Sequence, residues 1–136
     1  MEQHMSLSLK ITVESLPEKL ETLADDIKNW SEDLARATIA KMQAEIEEER
    51  IIAQTNIRIR QNPLDYGLAK PTEDGIKAKI LLEQAVIDAK AKTVEATATF
   101  LATRAVVDGL DAQRSNVKYM VELISKGFIS MSPMGK

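Results

Sequence analysis

Arg58 and Arg60, two residues apart, are the groups in this chain best suited to hold an anion. A guanidinium stays charged at any physiological pH, and its planar fork matches a phosphate. Tyr66, Lys70, Lys77 and Lys79 follow, so that residues 57–79 hold five bases against Asp65, Glu73 and Asp74. Cations beside an aromatic face suit single-stranded nucleic acid, whose phosphates need charge and whose bases need a surface to stack on. The local backbone decides whether the two arginines act together. On an α-helix, residues two apart diverge by roughly 200°, whereas on extended backbone they line up. Each group also has a plainer role: the arginines as cations at a helix C-terminus, and Tyr66 as a ring covering the ends of helices.

Other chemistry finds little material. The one histidine, His4, sits in a leader of no evident role, and there is no cysteine. Ser-His, Cys-His and Glu-x-x-His arrangements are therefore missing, and with them the usual nucleophilic and di-metal sites. Gly67 and Gly75 are isolated and form no phosphate-cradling loop. The run Glu45-Ile46-Glu47-Glu48-Glu49-Arg50 reads as a solvated helix face, because carboxylates on one helix lack the convergence a metal needs. No enzyme activity, cofactor or metal is expected. On the later part of the chain, Lys90, Lys92, Arg104, Arg114 and Lys118 make no single stripe and read as solvated surface.

The elements that must position the basic stretch are two long helical patterns. Asn62, Pro63, Gly67 and Pro71 are the breakers between them. The first pattern, residues 15–61, opens with Pro17 and Glu18 as a start signal. Its seam runs Leu16, Leu20, Leu23, Ile27, Trp30, Leu34 and Ala37, stepping by four and three. The phase then slips, and Ile39, Met42, Ile46, Ala53 and Ile57 continue it. One continuous helix is preferred over two with a break near residues 29–31. The loop spans 62–71. The second helix, 72–126, has Thr72 as N-cap, with Glu73 and Asp74 in its first turn. Ile76, Ile80, Ile87, Val94 and Leu101 form its seam, followed by a shifted one at Leu110, Val117 and Ile124. Gly109 marks a kink or a close packing contact, and Lys126-Gly127 a C-cap. Residues 5–13 alternate apolar and polar, which is the pattern of a half-buried strand. Within the arm 1–14 this segment pairs with the tail 127–136 near Phe128, adds to a neighbouring protomer, or stands as an ordered arm; an intersubunit role is preferred.

The expected fold is all-α: one helical domain, a long antiparallel coiled-coil-like hairpin with a short N-terminal β-like arm, assembling into an oligomer. With 136 residues, 44% hydrophobic and 29% charged, the chain is neither disordered nor of membrane type, and a cytoplasmic location is the default. The net charge of −3 hides an asymmetry. Residues 14–49 hold eleven acids against four bases, whereas residues 50–136 hold thirteen bases against nine acids. The acidic first helix would face a basic partner, or repel nucleic acid so that a strand stays at the loop. Apolar residues left over from the seams imply self-association.

Three features together resemble the phage UvsY-type recombination mediators: a largely helical chain of this size; Arg58-Ile59-Arg60 followed by Asp65-Tyr66-Gly67; and Leu110-Asp111-Ala112 with Ser125-Lys126-Gly127-Phe128 and the Gly135-Lys136 end. Residues 71–77, from Pro71 to Lys77, are similar to the helix start of a broader set of phage proteins. Gln61-Asn62-Pro63-Leu64 separates the arginines from Asp65-Tyr66 more widely than in the mediators. The resemblance implies a ring-forming protein that binds single-stranded DNA and loads a phage recombinase onto strands covered by single-strand-binding protein. It implies DNA contact at Arg58 and Arg60, which Tyr66, Lys70, Lys77 and Lys79 would extend. It implies assembly through the last helix, over Leu110, Val117, Met120, Val121, Ile124 and Phe128. The alternatives are a structural coiled-coil or scaffold protein of a phage particle without DNA binding, and a small inhibitor that docks a helix in a partner's groove.

Overall fold

The computed structural model describes residues 15–127. The alternating arm expected at 1–14, His4 and the tail from Phe128 onward lie outside the described residues. All regular structure among the described residues is helical: α1 (Leu16–Gln61), a short 3-10 turn (Pro63–Tyr66), α2 (Glu73–Leu82) and α3 (Gln84–Ser125).

Helix α1 is continuous for 46 residues. No proline or glycine stands between Pro17 and Pro63, so nothing interrupts its hydrogen bonds. It stops where proline demands it. Asn62, the residue before Pro63, leaves the helical region at φ −137°, ψ 62°. The 3-10 turn closes on Gly67, whose φ of 74° lies in the left-handed region. The N–H of Gly67 bonds to Leu64 O at 3.0 Å, and that of Leu68 to Pro63 O at 2.9 Å.

Helix α2 begins as expected at Thr72, whose side-chain oxygen accepts from the Gly75 N–H at 3.1 Å. A Cβ at Gly75 would stand 3.0 Å from that oxygen, so glycine lets the cap close this tightly. The continuous helix expected over 72–126 is instead broken at Glu83, which is extended (φ −69°, ψ 130°). Glu83 ends one helix, its N–H bonding Ile80 O at 3.2 Å. Its own carbonyl starts the next, accepting from Val86 and Ile87 at 3.0 Å each. No breaker residue causes this. Ile76 and Ile80 are buried, and the extended residue resets the helical phase so that Val86 follows them inward. Val86 is 0% exposed and Ile87 is 42% exposed, the reverse of the expected seam. The kink or packing contact expected at Gly109 is absent: α3 runs through it, and a Cβ there would meet open space.

The helices pack in two compact units. Among the described residues, one joins residues 15–33 with 104–127, and the other is Leu34–Thr103. In the first unit Leu16, Leu23 and Val117 are buried, and Leu20, Leu110, Met120, Val121 and Ile124 pack against them. In the second, Ile59, Ile76, Ile80 and Val86 form the core, covered by Ile51, Ile52, Tyr66 and Leu68. Each side chain taken fully out of water there contributes about 1.5–3 kcal/mol.

Away from that core the second unit closes on small residues. Ala37 and Ala89 are buried, and the Thr93 hydroxyl reaches both Ala89 O of its own helix (3.1 Å) and Ala44 O of α1 (3.2 Å). Lys41 lies 5.4 Å over the Phe100 ring, a cation–π contact. These contacts run α1 and α3 antiparallel within the unit, as a helical hairpin. The phase slip expected in α1 does not occur. Thr55 and Ile59 are buried on the face that Ala37 begins, whereas Ile39, Met42, Ile46 and Ile57 are all more than half exposed. Val94 and Leu101 on α3 are exposed as well. The rows expected to be seams are second apolar faces.

Candidate nucleic-acid interface

The basic stretch sits at the loop end of the second unit, on the last turns of α1, the 3-10 turn and α2. Because α1 is helical through Gln61, Arg58 and Arg60 diverge, and the buried Ile59 fixes the helix between them. They do not form a paired clamp.

Arg60 is engaged by its own chain. Its Nη2 donates to both carboxylate oxygens of Glu73, at 3.0 and 2.8 Å, and its Nε donates to Asn56 Oδ1 at 2.7 Å. Glu73 lies in the first turn of α2, where the helix dipole also favours a carboxylate. The hydrogen bonds from Arg60 hold the Glu73 carboxyl below the ordinary glutamate value, with help from its charge and from Lys77. The same contact raises Arg60 further. The bridge ties the end of α1 to the start of α2 across the loop. Nothing in the spacing of residues 60 and 73 announces it; the only legible signal was an acid at a helix start facing a cation at a helix end.

Arg58 projects on the opposite flank, exposed, beside a shallow hollow lined by Gln54, Ile57 and Gln61. It makes no ion pair among the described residues. Lys70 in the loop and Lys77 on α2 are exposed and also without an ion pair, whereas Lys79 is half-buried, its Nζ near the turn at Gly67. Tyr66 is half-buried against the Ile59 and Ile76 core, so its ring covers the helix ends and is not an open stacking surface. Of the six residues expected to bind nucleic acid, Arg58, Lys70 and Lys77 present free cations, Lys79 is partly withdrawn, and Arg60 and Tyr66 serve the fold.

The five described residues expected to assemble protomers behave likewise. Leu110, Val117, Met120, Val121 and Ile124 pack on α1 of their own chain, and Phe128 lies outside the described residues. The carboxylate run on α1 is a solvated face: Glu45 pairs with Lys41 at 2.9 Å, and Glu47 with Arg50. Among the described residues no group of three His, Cys, Asp or Glu is placed to hold a metal, and no helix is long and apolar enough to cross a membrane. No family model, curated protein or solved structure matches the chain.

Proposed function

We propose that this protein works by binding and presenting single-stranded DNA, holding the phosphate backbone at the loop end of its helical hairpin, in the manner of a recombination mediator that hands a strand to a recombinase. The observation that supports this is the set of unpaired cations there. Arg58, Lys70 and Lys77 are exposed at the end of α1, in the loop and on α2, and none of them forms a salt bridge among the described residues. Charge of this kind, without a shaped pocket or base-reading groups, suits a sequence-independent grip on phosphates. No bond is made or broken; the work is to bind and to transfer a strand, in the cytoplasm shared with the recombinase and single-strand-binding protein.

Amide shifts of the labelled protein on addition of oligo-dT test the reading. Shifts concentrated at Arg58, Lys70 and Lys77 support it. Shifts spread evenly over the lysines of α3, or none at low salt, count against it.

A second reading has its own support. Arg60 and Tyr66, two of the groups best suited to a strand, are used to tie the loop end together, and large apolar faces are exposed on both helices. A structural coiled-coil assembly protein needs those features and no DNA. It predicts the absence of oligo-dT shifts with undiminished self-association.

A further inference from the structure

We propose that, given strand binding at the loop end as set out above, Glu73 is a built-in stand-in for a strand phosphate. It occupies the Arg60 guanidinium in the free protein, and a phosphate of the bound strand displaces it. Arg60 is then a second, gated contact beside the open one at Arg58.

The geometry is that of an anion site already filled. Both carboxylate oxygens of Glu73 accept from Arg60 Nη2, at 3.0 and 2.8 Å. A carboxylate and a phosphate offer a guanidinium the same kind of paired, charged oxygens, so one replaces the other without a new recognition group. Arg60 has a second hold, since its Nε donates to Asn56 Oδ1 at 2.7 Å, one turn earlier on α1. That bond does not involve Glu73. It keeps the guanidinium in place when the carboxylate leaves.

The filled site is also an open one. The Arg60 and Glu73 side chains are 44% and 68% exposed, so a strand reaches both. Solvent screens an ion pair in this setting, and ordering two long side chains offsets much of its attraction. A buried pair would be a fixed strut, whereas this one exchanges partners.

Lys77 favours the exchange. It stands one turn after Glu73 on the same face of α2, and its charge acts on the Glu73 carboxylate. One carboxylate therefore serves two cations, and with Glu73 turned out to water both Arg60 and Lys77 are left for phosphates. Arg58 lies on the opposite flank of α1, outside this group. The gate also hides Arg60 from a salt titration of the wild type. Breaking an internal ion pair takes salt ions back up, which offsets the counterions that the new phosphate contact releases.

Oligo-dT anisotropy over a range of salt tests the gate, on Glu73→Gln and on Glu73→Gln combined with Arg60→Ala, each checked for unchanged helicity. Asp74→Asn is the control, because it removes a carboxylate from the same helical turn without freeing an arginine. Glu73→Gln should bind several-fold more tightly than the wild type at low salt. Its slope of log K against log salt should be steeper by about 0.7, one further single-strand phosphate contact. Adding Arg60→Ala should abolish the gain and return the slope to the wild-type value, and Asp74→Asn should gain less and keep that slope. A gain that survives Arg60→Ala, or an equal one in Asp74→Asn, would make Glu73 a repelling charge only and overturn the inference. Unchanged binding by Glu73→Gln would overturn it too, while leaving strand binding at the loop in place. No binding by any variant would remove both together.

Discussion

Arg58 and Arg60 show how one buried side chain separates two similar neighbours. Ile59 locks the helix, and the two guanidiniums then face different surroundings: one meets Glu73 and the other meets water. The divergence was legible as a conditional, since helical backbone at residues 58–60 implies opposite flanks. The choice of Arg60 for Glu73 was not, because it depends on how the loop returns α2. A pH titration separates the roles. Glu73 has a lowered pKa in the folded chain, so its bridge is intact above the ordinary glutamate value and is lost as pH falls through the lower folded value. Carboxyl carbon NMR should show Glu73 titrating below the ordinary glutamate value, and Arg60→Gln should raise it toward that value. An unshifted Glu73 in the wild type would show that the bridge does not form in solution.

At the level of elements, the breakers that the sequence displays and those that the fold uses differ. Asn62-Pro63 ends α1 and Thr72 caps α2 as local chemistry requires, since both effects act through the backbone of adjacent residues. The break at Glu83 has no local signal. It arises because Ile76 and Ile80 cannot share an unbroken helical face with Val86, and the tertiary core chooses Val86. For the same reason the heptad rows at Ile39–Ile46 and Ile87–Leu101 have the pattern of core but stand exposed. Periodicity marks an apolar face, but does not say which of two faces the chain itself covers. Gly109, expected to mark a kink or a close packing contact, is plain helix with open space where a Cβ would stand. Gly109→Ala should therefore stabilise the protein by about 1 kcal/mol, seen as a rise in the midpoint of urea unfolding. A loss of stability would mean that the glycine has a contact or a bend to preserve.

Over the whole molecule, charge is distributed more informatively than it is summed. The net −3 conceals an acidic stretch over residues 14–49 and a basic one over residues 50–136, and Arg58, Lys70 and Lys77 stand exposed at the loop end. A strand held there is held by phosphate contacts, and each contact gives up a counterion. The most direct measurement is the salt dependence of oligo-dT binding by fluorescence anisotropy, for the wild type, Arg58→Ala and Arg60→Ala, each checked for unchanged mass and helicity. Binding at low salt should weaken as salt rises, and Arg58→Ala should lower the slope of log K against log salt by about 0.7, the loss of one single-strand phosphate contact. Arg60→Ala should leave that slope near the wild-type value. No binding at low salt, or a slope insensitive to Arg58, would contradict a nucleic-acid role for the loop and favour a structural assembly protein.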